Sequence, residues 1–267
     1  MKLFITAICK FLFLFLFVLL AGCGGPRVHV KADAVPHDEP YHRHANPESY
    51  VILGKRYFVM QGNNGYAERG IASWYGKKFH GKRTSMGERY DMYEMTAAHK
   101  TLRIPAYVRV TNLSNGKSVV VRVNDRGPFH QNRIIDLSYA AAQKLDMINT
   151  GTALVEVRIV NTGRPNESAP RVAGNVPAVN KDWRDQSHLR NRIFVQVGAF
   201  ALRQNAEQLF NRLLQARFRD VQIVNTQDKN RLLHRVRIGP LHDVDATDVV
   251  VAQLESLGYA DYQIVIE

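Results

Sequence analysis

Two polar stretches cut this chain into short pieces, and that limits what it can fold into more than any other feature. Residues 23–65 carry Pro26, Pro36, Pro40 and Pro47 among several histidines, and residues 162–189 hold Pro165, Pro170 and Pro177 among Asn, Ser and Gly. Proline removes a backbone donor, and neither stretch shows apolar periodicity, so the first reads as a tether and the second as a linker. What remains is 66–161 and 190–267, two parts of fewer than 100 residues each in a chain of 267. Each must build its own small core.

The first 22 residues belong to neither part. Lys2 and Lys10 precede an unbroken apolar or small run over 11–22. About 20 apolar residues are needed to cross a bilayer, so this shorter run reads as a signal-peptide core. It ends in Leu20-Ala21-Gly22-Cys23, which resembles the lipobox at which bacterial lipoproteins are cut and acylated on the cysteine. Three acyl chains exceed what stable anchoring needs, so Cys23 is the expected lipidation site. Gly24 stands where inner-membrane retention signals resemble Asp, so the expected location is the outer membrane, facing the periplasm.

The only other cysteine, Cys9, leaves with the signal peptide, so no disulfide is expected and the cores alone must supply stability. The formal charge is +12, and residues 1–22 remove two lysines and no acid, leaving +10 on the mature chain. Such a balance favours polyanions, which in the periplasm are the cell wall and lipid headgroups.

The first part is rich in strands. Segments 70–75, 106–112, 118–124 and 153–160 alternate and are β-branched, and Ser114-Asn115-Gly116 reads as the turn of a hairpin between the middle two. One helix is expected over 137–146, around Ala140-Ala141-Ala142. Short strands and many turns in so few residues suggest a compact β-barrel. The second part reads as strands at 193–197, 221–224, 232–238 and 262–266. Between them lie helical stripes of Ala206, Leu209, Phe210, Leu213 and Leu214, then Ala246, Val249, Val250, Leu254 and Leu257. The order βαββαβ predicts a ferredoxin-like, four-stranded antiparallel sheet with both helices on one face and the other face open. The fold class expected is α+β in two domains.

Motifs in the first part carry more. Ala72-Ser73-Trp74-Tyr75-Gly76 with Phe79-His80-Gly81, Thr84-Ser85-Met86-Gly87-Glu88 before Tyr90-Asp91, Ala97-Ala98-His99-Lys100-Thr101-Leu102, and Val123-Asn124-Asp125-Arg126-Gly127-Pro128-Phe129 occur in that order. Together they resemble the double-psi β-barrel of the rare lipoprotein A family, whose members are septal lytic transglycosylases. The resemblance implies Asp125 as the catalytic acid, with Glu88 its partner and His99 a functional histidine. It also implies an endolytic cut of the MurNAc-GlcNAc bond without water, in which the muramic 6-hydroxyl closes a 1,6-anhydro ring. One carboxyl can serve both halves, protonating the leaving oxygen and then accepting the hydroxyl proton. A free Asp titrates near 3.9, so such an acid must be shifted upward, and a neighbouring Glu88 carboxylate with partial burial would do it.

Read without the resemblance, these residues stay ambiguous. Asp-Arg-Gly-Pro is strong turn chemistry, so Asp125 fits a turn cap. Glu88 fits a solvated loop acid, and His99 a structural hydrogen-bonding residue. Trp74 and Tyr75 suit stacking on sugar rings, although aromatic residues are more often core. His80, His99 and His130 lack tight ligand spacing, so no metal site and no cofactor is expected.

In the second part, Phe194-Val195-Gln196-Val197-Gly198-Ala199-Phe200, Asn205-Ala206 and Val236-Arg237-Ile238-Gly239-Pro240 look like the SPOR domain. That resemblance implies binding to denuded glycan, stripped of its peptides, at the division septum. Alternation turns Phe194, Gln196, Arg235 and Arg237 away from the helices, onto a face suited to a polysaccharide. RNA-recognition modules share this topology, but residues 232–237 lack the paired aromatics they use, so no nucleic-acid partner is expected. The expected partners are peptidoglycan glycan strands, the outer membrane through Cys23, and cell-division proteins as candidates. Two rival readings stay open: a non-catalytic wall-loosening module, as in plant expansins, and a glycan hydrolase with Asp125 as acid and Glu88 as base.

Overall fold

The computed structural model describes residues 31–130, 132–161, 192–228 and 231–267. The signal segment with Cys23 and the expected linker at 162–189 lie outside the described residues.

Six strands close into a barrel. They are β3 (Ala67–Trp74), β4 (Thr96–His99), β5 (Ala106–Asn112), β6 (Ser118–Asp125), β7 (Arg133–Leu137) and β8 (Thr152–Ile159), in the order β3-β7-β4-β6-β5-β8. The β3–β7 and β4–β6 pairs are parallel and the other four antiparallel. Alternate residues point inward: Val108, Val110, Val119, Val121, Val123, Ile135, Leu137, Val155 and Val157 are buried in one cluster. The expected hairpin joins β5 to β6, with Gly116 at φ +72° and Asn112 Oδ1 accepting the Ser114 N–H at 2.9 Å. β4 and β7 escaped the sequence reading because Ala97-Ala98 carries no β-branched signal and Asp136 interrupts the apolar run.

Helix α1 (Tyr139–Lys144) follows β7 directly, capped by Ser138, whose hydroxyl accepts the Ala141 N–H at 3.2 Å. Ala141 and Ala142 are fully buried, and small side chains let the helix lie close on the barrel.

The second domain is a four-stranded antiparallel sheet of β9 (Ile193–Phe200), β10 (Val221–Asp228), β11 (Arg231–Leu241) and β12 (Gln263–Ile266), in the order β10-β11-β9-β12. Helix α2 (Arg203–Gln215) buries Ala206, Leu209 and Leu213 of the expected stripe, with Phe210 partly buried and Leu214 exposed at its edge. Helix α3 (Val244–Ser256) is turned from the expected stripe. Of that stripe Leu254 is buried and Val250 packs against the core, joined by Thr247 and Val251, while Val249 is 68% exposed and Leu257 is exposed too. The run Val249-Val250-Val251 offers several apolar faces, and Asp243 caps the helix by accepting the Ala246 N–H at 2.8 Å.

The expected tether differs from the structure over its described portion. Strands β1 (Ser49–Ile52) and β2 (Lys55–Phe58) form a hairpin, and Ala45, Asn46, Tyr57 and Val59 are buried. The segment is fastened by polar contacts that hydrophobic periodicity cannot reveal. Asp33 Oδ2 accepts the Val120 N–H at 2.9 Å, the Glu39 carboxylate pairs with Arg122, and Asn46 Oδ1 accepts the Ile104 N–H at 2.8 Å.

Barrel and sheet domain also touch. Ile71 and Leu154 on the barrel pack with Ile193, Leu241, Val244, Ile264 and Ile266. Beside this patch the Arg133 guanidinium grips the Asp248 carboxylate at the second turn of α3.

Candidate functional site

A row of residues crosses four barrel strands on one face. β4 lies between β6 and β7, and Ala98 stands opposite Asp125 on one side and Asp136 on the other, with Ser73 of β3 beyond Asp136. Plain alternation would put Asp125 inside the barrel with Val121 and Val123. Instead Ala97 pairs with Val123 and Ala98 with Asp125, so β6 carries one residue more than β4. Such an extra residue re-aims the side chains after it, and here it brings Asp125 to the outer face. Ala98 forms a fully buried floor, with Gly127 at φ +134° beside it, while Ser73, Asp125 and Asp136 are partly exposed above.

Loops hold Asp125 firmly. Its Oδ1 accepts the Ser85 N–H at 2.8 Å, the Ser85 hydroxyl at 2.7 Å and the Arg126 N–H at 2.8 Å. Its Oδ2 accepts from the Tyr75 hydroxyl at 3.3 Å. One oxygen is therefore saturated, and the other has room for a substrate hydroxyl. Burial pushes the Tyr75 phenol well up, and the charges of Asp125 and Asp136 push it further, so it stays a donor. Its ring leans on Tyr90 at 4.9 Å and Phe79 at 5.7 Å. Trp74, half-buried, stands edge-on to Tyr139 at 5.7 Å and packs against the core.

Glu88 belongs to the same loop as Ser85 but faces elsewhere. Its oxygens take both Arg122 Nη1 and Nη2 at 2.8 and 2.9 Å, and the Asn124 amide at 2.8 Å. The Arg122 hydrogen bonds hold its carboxyl below the usual range, against a smaller opposing effect of burial. Glu88 is thus an anion compensated by Arg122 and Asn124.

His99 lies on the other face of the wall. It pairs with Ile135, whose side chain is in the core, and is only 2% exposed. Its Nδ1 accepts the Thr101 and Leu102 N–H groups at 3.2 and 3.0 Å, so Nε2 carries the proton and donates to the Tyr66 hydroxyl at 2.7 Å. Burial, reinforced by Arg126 and Lys100, pushes the imidazole down to about 3. His99 shapes the turn after β4 and does not reach the row of Asp125.

Asp136 is the residue that sequence reasoning missed. The Ser73 hydroxyl donates to its Oδ1. Burial raises its pKa, opposed in turn by that hydrogen bond and by Arg133, Lys100 and His130. An acid set in Ile134-Ile135-Asp136-Leu137 was the available signal, because its neighbours' inward alternation throws it outward.

A family model described as lytic transglycolase matches residues 67–169, and a SPOR domain model matches 190–265. Relatives named endolytic peptidoglycan transglycosylase RlpA extend along nearly the whole chain. The one from Vibrio cholerae is 40% identical over 93% of this chain and 94% of its own. That from Neisseria meningitidis serogroup A is 43% identical over 91% and 94%. The chain belongs to the RlpA family. A Pseudomonas aeruginosa member is 41% identical over 80% of this chain and 74% of its own length.

In this RlpA family chain the face expected to bind glycan is oriented as alternation requires, but it is not laid open. Phe194, Gln196 and Arg237 are 4%, 8% and 6% exposed, and Arg235 is partly buried. The guanidinium carbons of Arg192 and Arg237 lie 5.9 and 5.8 Å from the Phe194 ring centre. Gln196 Oε1 accepts from Arg235 Nη1 at 3.2 Å, and Arg237 Nη1 pairs with Glu267 at 2.6 Å. These side chains satisfy one another, which alternation alone could not foresee.

Proposed function

We propose that this chain is an endolytic peptidoglycan lytic transglycosylase that cuts denuded septal glycan and so helps daughter cells separate. The observation that carries the reading is Asp125: a partly exposed carboxylate with one oxygen fixed by Ser85 and Arg126 and the other beside the Tyr75 hydroxyl. Placed under a muramic residue, that second oxygen can take the proton of the 6-hydroxyl as it attacks its own anomeric carbon. Glu88 holds Arg122 and Asn124 at the rim, and His99 positions the turn behind β4. Trp74 and Tyr75 offer aromatic edges to sugar rings.

The sheet domain supports the same reading as the part that holds the strand, with Arg235 and exposed neighbours such as Arg192 supplying donors. Its family match favours peptidoglycan as the ligand. Acylation at Cys23 would keep both domains on the outer membrane, in reach of the wall.

Digestion of amidase-treated sacculi, read by mass spectrometry, tests the reaction. The expected products end in anhydro-MurNAc, and sacculi left intact by the full chain would refute the enzymatic reading. The pair of carboxyls on one face, Asp125 and Asp136, also favours a hydrolase. New reducing ends in place of anhydro ends would decide for it. Palmitate labelling of the wild type but not of Cys23→Ala is expected if the anchor is correct.

A further inference from the structure

We propose that Asp136 is the proton donor to the leaving glycosidic oxygen, with Asp125 receiving the proton of the attacking hydroxyl. This deepens the transglycosylase reading and rests on it. The geometry comes first. Ala98 pairs with both Asp125 and Asp136, so the two acids stand on one face of the barrel, two strand spacings or about 10 Å apart at the backbone, with only a methyl group between them. Both side chains are partly exposed, and the Tyr75 phenol feels both charges. A sugar linkage laid across Ala98 would meet one carboxyl on each side.

Their surroundings differ in the way a donor and an acceptor should. Asp125 Oδ1 already accepts three hydrogen bonds, which leaves Oδ2 to accept from a substrate hydroxyl. Asp136 accepts one from a protein hydroxyl, that of Ser73, and burial favours its neutral form. Three cationic or basic groups face it, Lys100, Arg133 and His130, and the phenols of Tyr75 and Tyr90 lie near. A carboxyl whose neutral form burial favours can donate, and one whose second oxygen stands open can accept.

The step balances. The proton on Asp136 passes to the GlcNAc O4 as the C1–O4 bond breaks. The muramic O6 bonds to C1, and its proton passes to Asp125. One carboxyl loses a proton and the other gains one, so exchange with solvent through the open groove restores both.

The test compares wild type, Asp136→Asn and Asp125→Asn on denuded glycan and on a GlcNAc-MurNAc dinitrophenyl glycoside, whose leaving group needs no proton. Asp136→Asn should be about 100-fold or more slower on glycan, the usual scale of a lost general acid, and largely recovered on the activated substrate. Asp125→Asn should be slow on both. The wild-type rate on glycan should fall at the alkaline side as Asp136 ionises, with no such fall on the activated substrate. An Asp136→Asn protein that cuts glycan at the wild-type rate, or is equally slow on both substrates, overturns the assignment. Should that variant not fold, Ser73→Ala serves instead. Loss of a donor to the carboxylate must move the alkaline fall to higher pH, and an unmoved fall refutes the role. A wild-type chain inert on both substrates would sink the transglycosylase reading itself, a different result from an active enzyme indifferent to Asp136.

Discussion

Arg133 at the start of β7 and Asp248 on α3 form a two-pronged ion pair, Nη1 to Oδ1 at 3.1 Å and Nη2 to Oδ2 at 2.6 Å, that clamps the barrel to the sheet domain. The Asn132 amide donates to the same carboxylate, and the Arg133 side chain is 8% exposed. Fork-to-carboxylate pairing fixes orientation as well as distance.

Asp248→Ala should therefore loosen the domains without unfolding either. It leaves the Arg133 guanidinium without its partner, at a cost of about 1–3 kcal/mol. The check is solution X-ray scattering beside thermal unfolding: an unchanged radius of gyration and melting point would show the clamp to be idle.

Asp125→Asn keeps an oxygen that can accept from Ser85 and Arg126, so the loop should hold. Activity should drop about 100-fold or more with the melting temperature nearly unchanged. Anhydro-ended products at the wild-type rate would exclude Asp125 from the reaction.

His99 should not titrate between pH 5 and 8. Burial depresses its folded pKa to about 3, below the ordinary histidine value of about 6.5, so the unfolded chain binds the extra proton first. Stability from the neutral imidazole is complete above about 6.5 and drains away as pH falls toward 3. Imidazole resonances followed by NMR give the answer directly. His99→Ala should leave the Thr101 and Leu102 N–H groups unpaired and cost about 2–4 kcal/mol, so its loss of activity should track loss of fold.

The cluster of Arg122 with Glu39 and Glu88 predicts acid sensitivity of its own. Hydrogen bonds from Arg122 depress both carboxyls below 4.5, so their contribution is present above that pH and lost as pH falls through the lowered values. The double variant Glu39→Gln with Glu88→Gln should flatten the melting-temperature profile below about pH 4.5. A profile that stays as steep as the wild type would assign the acid response to other groups.

Much of this was legible from residue order. Alternation located β5, β6 and β8, and the βαββαβ order emerged from a change of period. What stayed hidden shares one cause, because each feature depends on partners distant in sequence. Ala97-Ala98 is a strand only because β6 and β7 flank it. Residues 31–65 pack through carboxylates, amides and a short hairpin, which leave no stripe of apolar residues. Glu88 answers to Arg122, 34 residues onward. Gln196 and Phe194 are covered by arginines whose reach a pattern of letters does not disclose.

The additional residue in β6 has a bearing on how the barrel assembles. If β4 and β6 zipped together evenly, Asn124 would take the position beside Ala98, and Asp125 would come to rest opposite His99, among aliphatic side chains. Sealing an unpaired charge in hydrocarbon is prohibitive by several kcal/mol. The extra residue of β6 therefore also keeps the Asp125 charge out of the apolar interior.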